Sequence, residues 1–325
     1  MSPKTTGTWQ SVVDEEVWDG QLFSPPRDGH FLQSSHWAAF QRANGREVYF
    51  GSGDGWQCMA IVERAGDACR LYCPYGPVAD DQSSLEEALD ALQALGRQEG
   101  AGFIRVEPWA RTVERDELGK LGLLPSKRNM QPGLTWIQDD LQGKTRDALV
   151  LEFAANVRNR WRNAYKKEIS VAPSEDPADV EILLQMIHDV SKNTGMIPHG
   201  DDYYRIQAKT LMERNAATLY VTRQGDQPIA AAIVYDSPTT RYYAHSGSLL
   251  EARKLHTGTV MLATMVLDAQ ERGQQVFDFV GAAPKDEPDH PWAGFTEFKQ
   301  SFGGRYRQNL GTWEAACLGQ PPAAL

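Results

Sequence analysis

The first half of the chain presents a strand, a helix and a second strand in succession. Apolar residues recur at helical intervals over residues 85–99, and this pattern ends at Gly100. Segments rich in strand-forming residues lie on either side of the helix, at 70–74 and at 103–107. The pattern predicts a strand-helix-strand unit, in which a right-handed crossover brings the two strands side by side.

The second half of the chain repeats this succession. Helical spacing runs over residues 259–272, breaks at Gly273 and gives way to a strand-like segment at 276–280. Another strand candidate, at 241–246, precedes the helix. An α/β protein can offer similar segments by chance, but both copies share the glycine break and an acidic residue in the following strand. We therefore interpret the repeat as two similar α/β domains, which a length of 325 residues also favours.

Turn-forming residues mark the passage between the two halves. Residues 125–132 are polar and rich in turn formers, and a strand-like segment follows at 134–138. The spacing of apolar residues then predicts one helix over 149–168 and another over 181–192. A hairpin is predicted from the strands 219–223 and 229–235.

The composition is typical of a globular protein. Hydrophobic residues make up 41% of the chain and charged residues 23%, which leaves ample apolar surface to bury. Residues 1–7 lack the apolar core of a signal peptide, and no run approaches the roughly 18 apolar residues of a membrane span. We expect a cytoplasmic protein without an integral membrane segment.

Motifs for metal binding and for a covalent nucleophile do not occur in the sequence. The four cysteines include one Cys-x-x-x-Cys spacing without a second clustered pair, and the histidines are scattered, so we expect buried thiols and no metal. There is also no Gly-x-Ser-x-Gly, His-Glu-x-x-His or Walker pattern. This favours direct transfer between two bound substrates, since an activated acyl donor needs only positioning, a proton acceptor and stabilisation of the oxyanion.

A basic stretch at 158–167 stands out in a chain of net charge -10. Arg158, Arg162 and Lys166 recur at intervals of four, which predicts a cationic ridge on one helical face, and Arg160 lies between them. Such a ridge suits contacts to the phosphates of an RNA or nucleotide, and we do not expect DNA as a partner. The alternative interpretation is an ordinary solvated surface helix.

The segment 294–304 near the C-terminus combines aromatic residues with one lysine. Phe295, Phe298 and Phe302 have the spacing of a short buried helical face, which places Lys299 at its flank. A lysine held beside aromatic packing would strongly stabilise a developing oxyanion, because little water screens it. The alternative is that Lys299 extends to solvent.

Six fragments in order resemble the FemABX family of aminoacyl-tRNA-dependent peptidyltransferases. They are residues 31–37, 72–78, 104–108, 162–166, 277–281 and 298–304. The resemblance implies an α/β (α+β) fold of two tandem GNAT-like domains, of the acyl-CoA N-acyltransferase type, with a shared cleft. The first domain would cover 1–140 with a C-terminal return over about 306–325, and the second would cover 141–305.

The resemblance also implies a reaction and its partners. Family members transfer an amino acid from aminoacyl-tRNA to an amine of a peptidoglycan precursor, either UDP-MurNAc-pentapeptide or lipid II. It implies no metal or diffusible cofactor, and we expect a monomer. The acceptor would be a small peptide-linked or nucleotide-linked amine.

Matching positions give the expected site residues. Lys299 falls on the lysine that stabilises the tetrahedral intermediate, and Glu107 falls on an acid at a strand end that could accept the proton. Residues implied to bind substrate are Phe298, Tyr203, Tyr243, His245, His199, Gln41, Arg42 and Tyr75. Residues implied to bind tRNA are Arg158, Arg160, Arg162 and Lys166.

Two positions depart from the family pattern and leave the acceptor open. Gln41, followed by Arg42, stands where a lysine is common, and His199 stands in place of an arginine before Tyr203. These positions would grip the diphosphate of a UDP-linked acceptor, so the loss of two permanent cations weakens that inference. An amine on a peptidyl-nucleoside or another antibiotic scaffold is therefore an alternative acceptor.

Two alternatives belong to other functional classes. An acyl-CoA-dependent N-acetyltransferase would need a pyrophosphate loop at a helix start, for which residues 253–259 are a poor candidate. A catalytically silent protein that binds RNA or a wall precursor would need the basic stretch but not Lys299.

Overall fold

The computed structural model describes residues 7–317 and separates the chain into two compact units. The first unit extends to Gly133 and resumes at Gln308, and the second is Leu134–Arg307. The sequence places the corresponding boundaries at 140 and at about 305. Residues 1–6, where no signal peptide is expected, and residues 318–325 of the expected C-terminal return lie outside the described part.

The first unit contains a mixed sheet. Its strands, numbered in chain order, are β1 (Thr8–Gln10), β2 (Glu47–Gly53), β3 (Trp56–Ala65), β4 (Ala68–Cys73), β5 (Val78–Ala79), β6 (Phe103–Val106), β7 (Leu124–Pro125) and β15 (Trp313–Ala316). They lie in the order β1-β2-β3-β4-β6-β15-β7, with β5 paired to β3. Strand β15, from the end of the chain, thus lies between β6 and β7.

The predicted strand-helix-strand unit of the first half is present. The helices of this unit are α1 (Glu15–Phe23), α2 (Ser35–Ala43), α3 (Gln82–Gln98) and α4 (Arg115–Leu118). Helix α3 connects β4 to β6, which pair in parallel over residues 70–73 and 103–106. Asp81 and Ser84 form a capping box at its start, and its buried leucines pack on the sheet. Each buried leucine contributes roughly 2 kcal/mol of hydrophobic free energy.

The second unit contains a second mixed sheet. Its strands are β8 (Leu134–Gln138), β9 (Ile169–Ser174), β10 (Ala217–Gln224), β11 (Gln227–Asp236), β12 (Thr240–Ser248), β13 (Val276–Gly281) and β14 (Arg305–Gln308). They lie in the order β14-β8-β13-β12-β11-β10-β9. The predicted hairpin is β10 with β11, which pair antiparallel.

Helices cover both faces of this second sheet. They are α5 (Arg146–Glu152), α6 (Ala155–Arg162), α7 (Val180–Thr194), α8 (Asp201–Glu213), α9 (Thr257–Glu271) and α10 (Ala293–Gln300). Helix α9, predicted at 259–272, is buried against the sheet together with residues of α5, α6 and the segment after α10. Helices α7 and α8 pack on the other face, because alternate residues of a strand point to opposite sides.

The single helix expected over 149–168 is wrong. The chain forms α5 and α6 with extended residues Phe153 and Ala154 between them, and a 3-10 turn over Ala164–Lys167 follows α6. Phe153 turns into the core, where its ring meets that of Phe302 edge-on at 5.6 Å between centroids. Burial of this aromatic ring outweighs helix continuation, which spacing alone could not reveal.

Two further features bear on the sequence expectations. Cys58, Cys73 and Cys317 are buried thiols and Cys69 is half-buried, and none of the four forms a disulfide. Within residues 7–317, no helix combines the length and the apolar character needed to cross a bilayer.

Candidate active site

Strands β12 and β13 of the second unit separate soon after they begin to pair. Their parallel pairing covers residues 240–242 of β12 and 276–278 of β13. Strand β12 continues to Ser248 in contact with β11, without pairing to β13 beyond Tyr242 in the described chain. The edge of β12 from residue 243 onward therefore offers backbone donors and acceptors to a ligand.

A β-bulge in the same stretch separates two expected substrate residues. Val234 faces Tyr243 and Ile233 faces His245, so Ala244 is the extra residue. The bulge places Tyr243 on the α9 face, where it packs against the same core as Phe298. His245 lies on the opposite face, beside Tyr235. The sequence grouped Tyr243 and His245 together because a bulge cannot be seen from strand periodicity.

The ammonium group of Lys299 lies at the carboxyl end of β13. Lys299 itself belongs to α10 and is half-buried, and its Nζ donates a hydrogen bond to the carbonyl oxygen of Gly281. Burial lowers the pKa of Lys299 to about 8, and the carboxylate of Asp278 opposes this shift. The ammonium is thus held at a strand end with its pKa near the working range of an enzyme, where its charge acts in a partly dehydrated setting.

Asp278 organises the strand end around Lys299. This buried carboxylate accepts a hydrogen bond of 2.7 Å from the backbone N–H of Val280, and Arg307 Nη1 lies 3.5 Å from it. Burial raises the pKa of Asp278, while Arg307 and Lys299 oppose the rise. Val280 has a φ of 62°, which costs a β-branched residue on the order of 1–3 kcal/mol. The Asp278 hydrogen bond holds this conformation just before Gly281, the partner of Lys299.

Phe298 connects Lys299 to the start of α9. A side-chain carbon at Gly258, in the first turn of α9, would meet Phe298 Cζ at 3.8 Å. Phe298 is half-buried and contacts the ring of the buried Phe302 at 5.3 Å between centroids. The expectation that Phe295 shares this buried face is wrong, since Phe295 is 65% exposed. The cause is that α10 is a short surface helix whose outer side faces solvent.

The basic segment lies beside the start of α9. His256 immediately precedes α9. Burial is the largest cause that lowers the pKa of His256, and the positive charges of Arg160 and Lys167 lower it further. Within residues 7–317, no carboxylate forms an ion pair with Arg160, Arg162, Lys166 or Lys167. Their charge adds to the positive end of the α9 dipole.

The expected ridge of Arg158, Arg162 and Lys166 is present only in part, because α6 contains Arg158 and Arg162 but ends before Lys166. Arg158 donates hydrogen bonds to the carbonyl oxygens of Leu151, at 3.1 Å, and Phe153, which caps the end of α5. Lys166 lies in the 3-10 turn beyond α6, so helical spacing does not carry over to it. Arg160 and Arg162 lie in α6, whereas Lys166 and Lys167 lie in the turn that follows it.

A group of imidazole and phenol rings lies on the other face of the second sheet. His199 stacks on Tyr203 at 4.1 Å between centroids, and Tyr204 meets His245 at 5.1 Å. Tyr235 Oη lies 3.2 Å from His245 Nε2. Burial lowers the pKa of His245 to about 4, with His199 adding to the shift, so the His245 imidazole is neutral at neutral pH. The structure brings His199, Tyr203 and His245 together as expected partners, and adds Tyr204 and Tyr235.

Glu107 belongs to the first unit and is buried there. Its Oε1 accepts from the backbone N–H of Gln131 at 2.7 Å and from Thr312 Oγ1 at 2.6 Å. Its Oε2 accepts from Tyr72 Oη at 2.9 Å and from the backbone N–H of Tyr75 at 3.3 Å. Burial raises the pKa of Glu107, and these hydrogen bonds oppose the rise. With both oxygens occupied, Glu107 ties three chain segments to the end of β6.

The other expected residues of the first unit also hold the fold. Tyr75 is buried, its ring centroid 3.9 Å from that of His30, and its Oη donates to the carbonyl of Pro132. Arg42 donates to the carbonyl oxygens of Ser11 and Val48. Gln41 is buried, and no described residue donates a hydrogen bond to its Oε1.

Asp278 and Arg307 are the main site residues that sequence reasoning missed. The sequence pattern identifies Asp278 only as an acidic residue within a strand. Its position between the apolar residues Phe277 and Phe279 is a signal for a site, because a carboxylate inside an apolar strand needs a partner. Arg307 carried no such signal, because its approach to Asp278 depends on the pairing of β14 with β8.

Comparisons with known proteins agree with this architecture. Residues 152–299 match the model of the acetyltransferase (GNAT) domain. The structure is similar to a crystal structure of FemX, at 18% identity and a TM-score of 0.81, covering 95% of this chain and 97% of that one. No curated protein matches the chain significantly.

Two more distant structures share the arrangement. L-PGS from Bacillus licheniformis is 15% identical, with a TM-score of 0.59, covering 95% of this chain and 93% of that one. A tandem GNAT protein from the clavulanic acid biosynthesis pathway is 11% identical, with a TM-score of 0.52, covering 85% of this chain and 84% of that one.

The two sheets with their crossover helices, and the separated strands in the second unit, give the chain an α/β fold of two tandem GNAT-like domains, and the GNAT model itself matches the second of them. Among such proteins its fold is FemX-like, as expected from the FemABX resemblance.

Proposed function

We propose that this protein transfers an aminoacyl group from aminoacyl-tRNA to an amine of a small acceptor. The proposal rests on one arrangement in the second unit, in which the Lys299 ammonium lies at the strand end next to the unpaired edge of β12. Cations without carboxylate partners, at Arg160 and Lys167, lie beside the start of α9, and Phe298 links that helix start to Lys299. The FemX-like fold supports the same reaction.

The chemistry requires little beyond positioning. The deprotonated acceptor amine attacks the carbonyl carbon of the aminoacyl ester, so that a C–N bond forms and negative charge develops on the carbonyl oxygen. Lys299 faces this oxygen and stabilises it. When the tetrahedral intermediate collapses, the C–O ester bond breaks and the ribose oxygen leaves with a proton.

The hydrogen bonds of Glu107 favour a group on the substrate, and not Glu107, as the base that receives the proton of the amine. Both Glu107 oxygens already accept hydrogen bonds from the fold, and taking a proton would disrupt that network. We therefore propose that the proton lost by the amine passes to the leaving ribose oxygen or to a neighbouring substrate hydroxyl. Glu107 is then a positioning residue of the first unit.

The proposed acceptor is the amine of a peptidoglycan precursor, UDP-MurNAc-pentapeptide or lipid II, in line with the family resemblance. A second candidate, an amine on a peptidyl-nucleoside or another antibiotic scaffold, is favoured by a specific observation. Gln41 is a buried neutral amide, and His199 stacks on Tyr203 instead of presenting a permanent cation. A diphosphate needs such cations, so their loss favours an acceptor without one.

A transfer assay tests the reaction and the acceptor together. Total tRNA charged with a labelled amino acid mixture is incubated with the protein and, in separate reactions, with UDP-MurNAc-pentapeptide, lipid II or small amines extracted from cells. Label that appears in an acid-stable product identifies both amino acid and acceptor. Acetyl-CoA replaces charged tRNA in a parallel reaction, and transfer from acetyl-CoA alone would contradict the proposal in favour of an N-acetyltransferase.

A further inference from the structure

Tyr165 is an exposed aromatic residue on the basic surface, and the reaction described above gives it no role. It lies in the 3-10 turn Ala164–Lys167 that follows α6, and 70% of it is exposed. Between residues 152 and 195, all of which the structure describes, Tyr165 is the single large apolar side chain that is exposed.

The turn that carries Tyr165 is fixed to the second unit on both sides. Ala164 and Ile169 are buried against Val260 of α9. The carbonyl oxygens of Lys167 and Glu168 accept hydrogen bonds from the β10-β11 turn, from Gln224 Nε2 at 3.2 Å and from the backbone N–H of Gly225 at 3.0 Å. The backbone under the Tyr165 ring is therefore set before any ligand arrives, which lowers the entropy cost of binding.

Cations surround this ring. Lys166 Nζ lies 5.9 Å from the Tyr165 ring centroid, and Arg162 is exposed on the preceding turn. Arg160 and Lys167 lie beside His256, at the start of α9. In a chain of net charge -10, these cations without carboxylate partners form a local positive surface, which suits phosphate groups.

We propose that Tyr165 stacks on an unpaired base of the donor RNA, in the single-stranded 3′ end of the tRNA, while the neighbouring cations hold its phosphates. An exposed aromatic ring between cations is the pattern by which proteins bind single-stranded nucleic acid without reading its sequence. This inference rests on the proposed function, because it assigns a base contact to the same donor. It gives the RNA a path from Tyr165 past the start of α9 to Phe298 and Lys299.

A single-stranded RNA fits this surface better than a membrane does. Interfacial binding to lipid buries a row of apolar side chains beneath a basic face. Residues 152–195 expose one large apolar side chain, the phenol ring of Tyr165, so this segment offers little apolar area to insert. A base has a flat face that one ring can cover.

Binding of a short RNA tests the inference without catalysis. A single-stranded RNA ending in CCA, fluorescently labelled at its 5′ end, is titrated with the wild-type protein and with Tyr165→Ser, Tyr165→Phe and Lys167→Gln over a series of KCl concentrations. The matched control is Leu151→Ser, because Leu151 is 66% exposed in α5 and its side chain has no assigned contact with RNA. A duplex of the same sequence serves as the second ligand, since its bases are already stacked.

The variants should separate stacking from charge. Tyr165→Ser should weaken binding of the single strand by about ten-fold at every salt concentration, as expected for one lost stack. Tyr165→Phe and Leu151→Ser should bind like wild type, and the duplex should not distinguish Tyr165→Ser from wild type. Lys167→Gln should instead reduce the slope of log affinity against log salt by about 0.7, the share of one phosphate contact in a single strand.

Several results would overturn the inference. If Tyr165→Ser and wild type bound the single strand equally, the proposed stacking would be contradicted. The proposal of tRNA-dependent transfer would not be affected by that result. If Tyr165→Ser reduced binding to phosphatidylglycerol vesicles but not to RNA, the surface would be a lipid site. If wild-type protein bound neither the single-stranded RNA nor charged tRNA, the proposed function itself would fail.

Discussion

The two units contain the same succession of strand, helix and strand, yet the acid in the second strand serves a different end in each. In the first unit, Glu107 follows β6 and its two oxygens accept four hydrogen bonds from within that unit. In the second unit, Asp278 lies in β13 and faces two cations, Lys299 and Arg307. One strand end is closed by hydrogen bonds, and the other retains groups that can change protonation.

The similarity extends to the backbone. Each carboxylate accepts a hydrogen bond from a residue with positive φ, Tyr75 at 46° in the first unit and Val280 at 62° in the second. Such conformations persist only where their surroundings hold them. In the first unit this arrangement tightens the fold, whereas in the second it turns the chain so that Gly281 meets Lys299. The difference supports the proposal that the second unit, and not the first, carries the catalytic groups.

The strongest challenge to this contrast is removal of the Lys299 ammonium. Lys299→Met should lower kcat for aminoacyl transfer by about 100-fold to 1000-fold, the usual cost of losing one oxyanion donor. Binding of charged tRNA should persist, and Lys209→Met, which changes an exposed lysine of α8, should leave kcat unchanged. Retained activity of a folded Lys299→Met protein would show that the open strand end is not catalytic.

The first unit should respond to loss of its carboxylate through stability. Glu107→Gln should lower the free energy of unfolding by about 2 kcal/mol, because an amide cannot accept all four hydrogen bonds and leaves buried donors unpaired. Urea unfolding followed by circular dichroism measures this change. The exposed Glu86→Gln of α3 is the control. A large loss of kcat with unchanged stability would instead restore Glu107 as the general base.

Asp278 should set the pH dependence of the second unit. Burial lowers the pKa of Lys299 to about 8 and Asp278 raises it, so activity that needs protonated Lys299 is present below this pKa and lost above it. Asp278→Asn removes the opposing charge, and the alkaline limb of the kcat profile should move to lower pH. The exposed Asp226→Asn is the control. If the alkaline limb of the kcat profile did not move in Asp278→Asn, or moved equally in Asp226→Asn, then Asp278 would not set the pKa of Lys299.

The smallest effect should distinguish two neighbouring arginines of α6. Arg160→Gln should weaken tRNA binding a few-fold and reduce its salt dependence, since one phosphate contact is lost. Arg158→Gln should leave that salt dependence unchanged but lower thermal stability, because Arg158 caps α5. Thermal unfolding measures the stability of each variant, and filter binding over a series of salt concentrations measures its affinity for tRNA. Identical salt slopes for both variants would contradict the division of roles.

Local pattern was sufficient for the scaffold. Regular spacing predicted α3, α7 and α9, and alternating strand formers predicted β6 and the β10-β11 hairpin. The helix over 149–168 failed because Phe153 enters the core and Arg158 satisfies the interrupted carbonyls. The predicted buried face of 295–302 failed only at Phe295, which is exposed because burial depends on which neighbours cover a short helix.

The sequence by itself determined the repeated units through their periodicity, and six short fragments that resemble the FemABX family predicted the FemX-like fold and Lys299 as a site residue. Only the tertiary structure decided how the chemistry is arranged. The bulge at Ala244 sends Tyr243 and His245 to opposite faces, and the separation of β12 from β13 opens an edge next to Lys299. Burial and electrostatics act through space between distant residues, so the neutral His245 and the Asp278 partner of Lys299 exist only once the chain has folded.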